Sequence, residues 1–154
     1  MQLHGAKKSI FIIPFMFFTI QSHAFLCQNT DSDFSCVEYL KNFDGDTLTF
    51  NIKDVHPLLG NEIGVRIAGI DAAEQHSKDP CEIEMASRAQ REVEAMMLSA
   101  RTVDLANARR GKYFRIIADV IVDGKSLGEH LLRKRLVVSY DGGTKDDIDW
   151  CKLR

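Results

Sequence analysis

Along the chain the spacing of apolar positions switches between two periods, and the switches mark out the elements. Val37 to Leu40 is a short run rich in apolar residues, and Thr47 to Ile52 alternates side chains after an Asp-Gly turn; both read as strands. Asp54 to Asn61 carries Pro57 and Gly60 and reads as a loop, after which Gly64 to Ile70 returns to a strand. From Cys81 to Ala100 the residues Ile83, Ala86, Ala89, Val93, Met96, Met97 and Ala100 recur at helical intervals, which predicts one long helix. Thr102 to Leu105 and Tyr113 to Val122 predict two further strands, the second closed by Asp123-Gly124. Ser126 with Glu129 forms a capping box for a last helix through Arg133. No internal repeat, low-complexity tract or linker interrupts this order. It is an α+β, mainly β pattern, and short strands coiled around a partly open barrel with flanking helices fit a five-stranded OB-fold.

The first 24 residues stand apart. Lys7 and Lys8 precede the apolar stretch Ile10 to Ile20, and Ser22-His23-Ala24 places small residues where a signal peptidase cuts. The apolar stretch is shorter than the roughly 20 residues of a membrane-spanning helix and is interrupted by Pro14. We expect a signal peptide over residues 1–24, cleavage after Ala24, and one domain over residues 25–154. The expected destination is the periplasm or the exterior, with no stable membrane association after cleavage. Cleavage removes two of the 20 basic residues and none of the 22 acidic ones, so the net charge moves from −2 to −4. A nucleic-acid enzyme ordinarily shows a basic surplus. Here basic residues gather locally instead, as Arg109, Arg110, Lys112 and Arg115, and as Arg133, Lys134 and Arg135.

All four cysteines, Cys27, Cys36, Cys81 and Cys151, lie in the expected mature chain. None forms a CxxC, and no Cys/His spacing suits zinc. An even number in an exported chain points to disulfides, with three possible connectivities.

Three charged clusters sit at strand ends or loops. They are Asp44-Gly45-Asp46-Thr47, then Val65-Arg66-Ile67-Ala68-Gly69-Ile70-Asp71-Ala72-Ala73-Glu74, then Gly111-Lys112-Tyr113-Phe114-Arg115-Ile116. Arg66 lies in an otherwise apolar strand and needs a carboxylate partner, because a buried unpaired guanidinium is costly. Two carboxylates, a carbonyl and waters make an oxygen-rich site suited to a hard cation such as Ca²⁺. Two arginines can stabilise charge on a phosphoryl group without losing their protons, and a further carboxylate can deprotonate or orient a water. That combination describes metal-assisted phosphodiester hydrolysis.

The ordered succession DGDT, VRIAGID-x-x-E, KYFRIIADV and VDGKSLGEHLL resembles the staphylococcal nuclease, or thermonuclease, family over about Val37 to Tyr140. The closing Tyr140-Asp141-Gly142-Gly143 with Trp150-Cys151 is similar to its exported bacterial branch. The resemblance implies an enzyme cutting DNA and RNA to 3′-phosphate ends with Ca²⁺ as cofactor. It implies Asp46, Asp71 and the carbonyl of Ala72 as metal ligands, and Glu74 as general base. Arg66 and Arg115 would hold the scissile phosphate, Lys112 and Tyr113 a terminal phosphate, and Tyr140 would line a base pocket. The alternative is an OB-fold module that binds nucleic acid or phosphate without cutting it.

Three positions depart from the family pattern. Ala72-Ala73 replaces Thr-Pro, Arg135 stands where the last helix ends in Gly, and Tyr140 is displaced by one position. His56, His76 and His130 are read as surface or packing residues. We further expect Cys81 to pair with Cys151, tying the long helix to the tail, and Cys27 with Cys36, pinning the N-terminal extension. The protein is expected to be a monomer.

Overall fold

The computed structural model describes residues 27–111, 115–145 and 147–153; the expected signal peptide, Lys112 and Tyr113 lie outside them. Two antiparallel strands begin the sheet, β1 (Glu38–Asn42) and β2 (Thr47–Asn51). In β2 the alternation is clean, with Leu48 and Phe50 fully buried between half-buried neighbours. The expected loop over 54–61 contains one helical turn, α1 (Pro57–Gly60). His56 caps it by accepting from the Leu58 N–H, and Pro57 supplies the fixed φ that favours a helix start.

The expected strand from Gly64 to Ile70 is two strands. β3 (Ile63–Ile67) pairs with β2, and β4 (Ile70–Ala72) belongs to a separate two-stranded sheet. The break is at Gly69, which adopts φ +77°, a conformation that carries little penalty only without a Cβ.

α2 (Pro80–Ser99) starts at Asp79, whose side chain accepts from the Cys81 N–H. Its core stripe is Met85, Ala86, Ala89, Val93 and Met97. Ile83, expected in that stripe, is 40% exposed because it lies about 100° around the helix from the centre of the 85–89–93–97 line.

β5 (Val103–Arg110) and β6 (Ile116–Val122) form the second long pair, with a bulge between Ala106 and Arg109 where Asn107 takes φ 54°. β5 runs five residues beyond the expected Leu105, because it keeps pairing with β6 past the bulge. The turn Asp123-Gly124 leads into β7 (Lys125–Ser126) and α3 (Leu127–Arg133), where Ser126 caps by accepting from the Glu129 N–H. β8 (Val137–Ser139) pairs with β4, and α4 (Trp150–Leu153) ends the chain.

The main sheet runs β1-β2-β3-β6-β5, with β7 alongside β6. Among the described residues β3–β6 is the parallel pair and the others are antiparallel, so the sheet is mixed. It curls until the segment before β1 reaches β5, where Phe34 and Leu105 exchange backbone hydrogen bonds and the Val37 N–H donates to Val103. The result is a half-barrel with flanking helices, the OB-type architecture expected. Its core is filled by Leu48, Phe50, Val65, Leu105 and Val120 with Met85, Leu127 and Leu131 from the helices.

Disulfides join Cys27 to Cys36 and Cys81 to Cys151, the connectivity expected above. The second ties the start of α2 to α4, beside the buried Trp150. Two disulfides are consistent with an oxidising, extracellular-type environment. Among the described residues no helix is long and apolar enough to cross a membrane.

Candidate active site

The turn between β1 and β2 is shaped by Asp44, whose Oδ1 accepts from the N–H groups of Asp46 at 2.9 Å and Thr47 at 2.7 Å. Short polar side chains favour such turns because they can satisfy the backbone locally. Gly45 lets the turn press inward. A Cβ there would lie 2.6 Å from Ala89 Cβ on α2 and 3.1 Å from Ala72 Cβ on β4. The turn therefore drives Asp46 into the interior, where it is only 2% exposed.

A buried carboxylate must be satisfied on every side. Asp46 Oδ2 accepts from the Ala72 N–H at 2.9 Å; Oδ1 accepts from Thr47 Oγ1 at 2.9 Å and from Arg66 at 2.7 Å. Burial, with Asp44 alongside, nevertheless lifts its pKa to about 6, against the pull of Arg66.

Arg66 occupies the outer face of β3. Ile63, Val65 and Ile67 point to the core, and Gly64 and Arg66 point the other way. The Gly69 turn folds β4 back so that Asp71, 7% exposed, meets the same guanidinium at 2.5 Å. Arg66 therefore bridges Asp46 and Asp71 with separate nitrogens. Burial would lower its pKa, but the two carboxylates hold it above the ordinary value. The Tyr140 ring lies 5.8 Å from the guanidinium carbon, within cation–π range. The tyrosine is fixed by its N–H donating to Gly69 and its hydroxyl to Gly143. Beside it opens a cavity of about 610 Å³ lined by Gly69, Ser139, Tyr140, Asp141, Gly143 and Thr144.

Glu74 follows β4 on an exposed loop, its N–H donating to Glu82. Lys145 reaches it from the chain between β8 and α4. The ammonium stands 3.0 Å from Glu74 Oε1 and 3.1 Å from Asp71 Oδ1. Burial opposes the charge on Lys145, but hydrogen bonds to Glu74 and Asp71 raise its pKa.

Arg115 immediately precedes β6. The parallel register Val65↔Ile116 and Arg66↔Ile117 sets Arg115 opposite Gly64, and a Cβ on Gly64 would lie 3.5 Å from Arg115 Cγ. Arg115 thus rises from the same face of the sheet as Arg66. Gly64 leaves the space for it.

Of the residues singled out from sequence, Asp46, Arg66, Asp71, Ala72 and Tyr140 meet directly. Glu74 joins through Lys145, and Arg115 shares their face. The histidines lie elsewhere: His56 caps α1, His76 is exposed, and His130 bonds Glu92. Asp79, Cys81 and Cys151 also approach one another, but the sulfurs are spent in a disulfide. Three participants were given no role from the sequence. Asp44 and Thr47 carry a readable signal, the Asp-x-Asp-Thr turn. Lys145 carries none, being 71 positions from Glu74.

The carboxylates of Asp46, in the turn before β2, and of Asp71, on β4, give an all-oxygen donor set. It fits a hard divalent cation. A family model described as staphylococcal nuclease homologue matches residues 64–148. No curated protein matches the chain.

Proposed function

The chain belongs to the staphylococcal nuclease family, and from that premise we propose that it is a calcium-dependent phosphodiesterase that hydrolyses DNA and RNA to products with 3′-phosphate ends. The reading is supported above all by one observation. The carboxylates of Asp46, Asp71 and Glu74 and the guanidinium of Arg66 form one connected cluster, with Arg115 on the same face.

In this reading Asp46, Asp71 and the carbonyl of Ala72 hold Ca²⁺. When bound, the ion polarises a phosphoryl oxygen and neutralises charge that builds up during attack. Arg66 has five N–H donors and uses two nitrogens on carboxylates, so donors remain for a phosphate oxygen. Arg115 supplies a second planar fork from the neighbouring strand. Glu74 takes a proton from water as the water oxygen bonds to phosphorus. The bond from phosphorus to the 5′ oxygen breaks, and that oxygen takes a proton from solvent water, so the phosphate stays on the 3′ side. The two guanidinium groups stabilise the charge of the transition state without losing their protons.

Tyr140 lines the pocket for a base, and the 610 Å³ cavity beside it is of a size for a nucleoside. Lys112 and Tyr113 would contact a terminal phosphate. Export to the periplasm or the exterior follows from the signal peptide over residues 1–24, and the two disulfides support it.

The test is hydrolysis of single-stranded DNA and of RNA by the oxidised protein, in Ca²⁺ and in excess chelator, with end-group analysis. Cleavage only with Ca²⁺, leaving 3′-phosphates, is expected. Binding of both polymers without cleavage in Ca²⁺ would overturn the reading in favour of a non-catalytic OB-fold module.

A further inference from the structure

The Lys145 ammonium occupies the gap between Asp71 and Glu74, within hydrogen-bond distance of an oxygen of each. Nothing local forces it there. It lies six positions beyond the end of β8, on the outer segment whose far end is anchored by Cys151 to Cys81 on α2. Asp71 is almost fully buried, whereas the side chains of Lys145 and Glu74 remain 49% and 65% exposed. The contact is therefore a reversible plug at the mouth of the site rather than part of its floor.

Arg66 meets the same oxygen of Asp71, Oδ1, and also bridges to Asp46. Two protein cations thus neutralise three carboxylates. Arg66 is half-buried and rooted in β3, so it stays with the cluster, whereas Lys145 is on a long flexible stem and can swing into solvent. A divalent ion binding Oδ1 of Asp71 must compete there with the ammonium.

We propose that Lys145 is a tethered competitor for the divalent-cation site, which an incoming ion must displace and which thereby sets the affinity for that ion. The inference rests on the Ca²⁺ reading given above. Displacement would move the ammonium away from Glu74, releasing that carboxylate when the ion binds. The protein then couples two events, loading of the ion and freeing of the general base, through one side chain. The disulfide shortens the tether, because it confines the segment carrying Lys145 to the vicinity of α2.

Calorimetric titration of the oxidised protein with Ca²⁺ alone, at fixed ionic strength and without nucleotide, tests this. Lys145→Met keeps the length of the stem and removes the charge. It should tighten Ca²⁺ binding about fivefold or more, the scale of two partly screened ion pairs. Lys145→Arg retains a cation and should bind Ca²⁺ within about twofold of the parent. Lys145→Met should also enlarge the rise in melting temperature produced by a given Ca²⁺ concentration, by mass action. Unchanged or weaker binding by Lys145→Met, with the parent binding normally, would overturn the competition alone. Equal tightening in Lys145→Arg would overturn it too, since charge would not be the cause. Absence of Ca²⁺ binding in parent and variants alike would overturn the calcium reading itself.

Discussion

Arg135 ends α3 with its backbone at φ 56°, in the left-handed region where a Cβ crowds the following carbonyl. The geometry is that of a glycine-type helix stop. The Arg135 N–H donates to Leu132 at 3.0 Å, and the Leu136 N–H donates to Leu131 at 3.0 Å. Leu131 and Leu136 are both buried, supplying the apolar contact that accompanies such a stop. Glycine at this position would release about 1–2 kcal/mol of strain. Against this, glycine gains freedom in the unfolded chain worth about 0.4–1 kcal/mol. Arg135→Gly should therefore stabilise by about 0.5–1 kcal/mol. For a domain of this size that is a rise in melting temperature of roughly 2–5 °C. Arg135→Ala provides the control, because it removes the charge near the negative end of α3 but keeps the Cβ. Its stability should fall within about 0.5 kcal/mol of the parent. Urea unfolding of the oxidised proteins should move the midpoint for Arg135→Gly upward at constant slope. If Arg135→Gly is no more stable than Arg135→Ala, the strain argument is wrong.

Glu74→Gln should lower turnover by about 10²-fold or more while nucleotide binding persists, measured by steady-state kinetics and equilibrium binding. Gly45→Ala would force a Cβ to 2.6 Å from Ala89, and should cost about 1–3 kcal/mol in urea unfolding. Replacing Cys81 and Cys151 by Ser opens a loop spanning 70 positions and should cost about 4 kcal/mol, against about 3 kcal/mol for the 9-position Cys27–Cys36 loop. Glu92 has its pKa held down by hydrogen bonds from Lys134 and His130, with Arg88 and Arg91 lining the same hollow. Its contribution to stability is therefore present above the ordinary carboxylate pKa and lost as pH falls through the lower folded value. The stability difference between parent and Glu92→Gln should shrink across that acid window, and a difference independent of pH there would contradict the pairing.

Where an element depends on neighbours a few positions away, its sequence is enough to show it. The 20-residue helix α2 is visible in its three-and-four spacing, and α3 in Ser126 and Glu129, because helical packing and capping act within one or two turns. The alternation in β2 and the Asp123-Gly124 turn are local in the same sense. The charged residues of the site were legible as an ordered set, since each sits beside a short motif whose residue types limit the chemistry. The tertiary structure decided what those residues do to one another. The apolar run through Gly64 to Ile70 contains no change of period, so the break at Gly69 appears only once β4 finds β8 instead of continuing beside β6. That long-range hydrogen bonding turns Asp71 towards Arg66. Parallel pairing of β3 with β6 places Arg115 over Gly64, across about 50 positions of chain whose register no local pattern encodes. Lys145 reaches Asp71 and Glu74 because β8 and the Cys81–Cys151 bond return the tail to α2. Sequence alone thus determined the elements and the chemical groups available. Closure of the chain on itself determined which charges are buried together, because burial and Coulomb interaction depend on distance in space rather than along the chain.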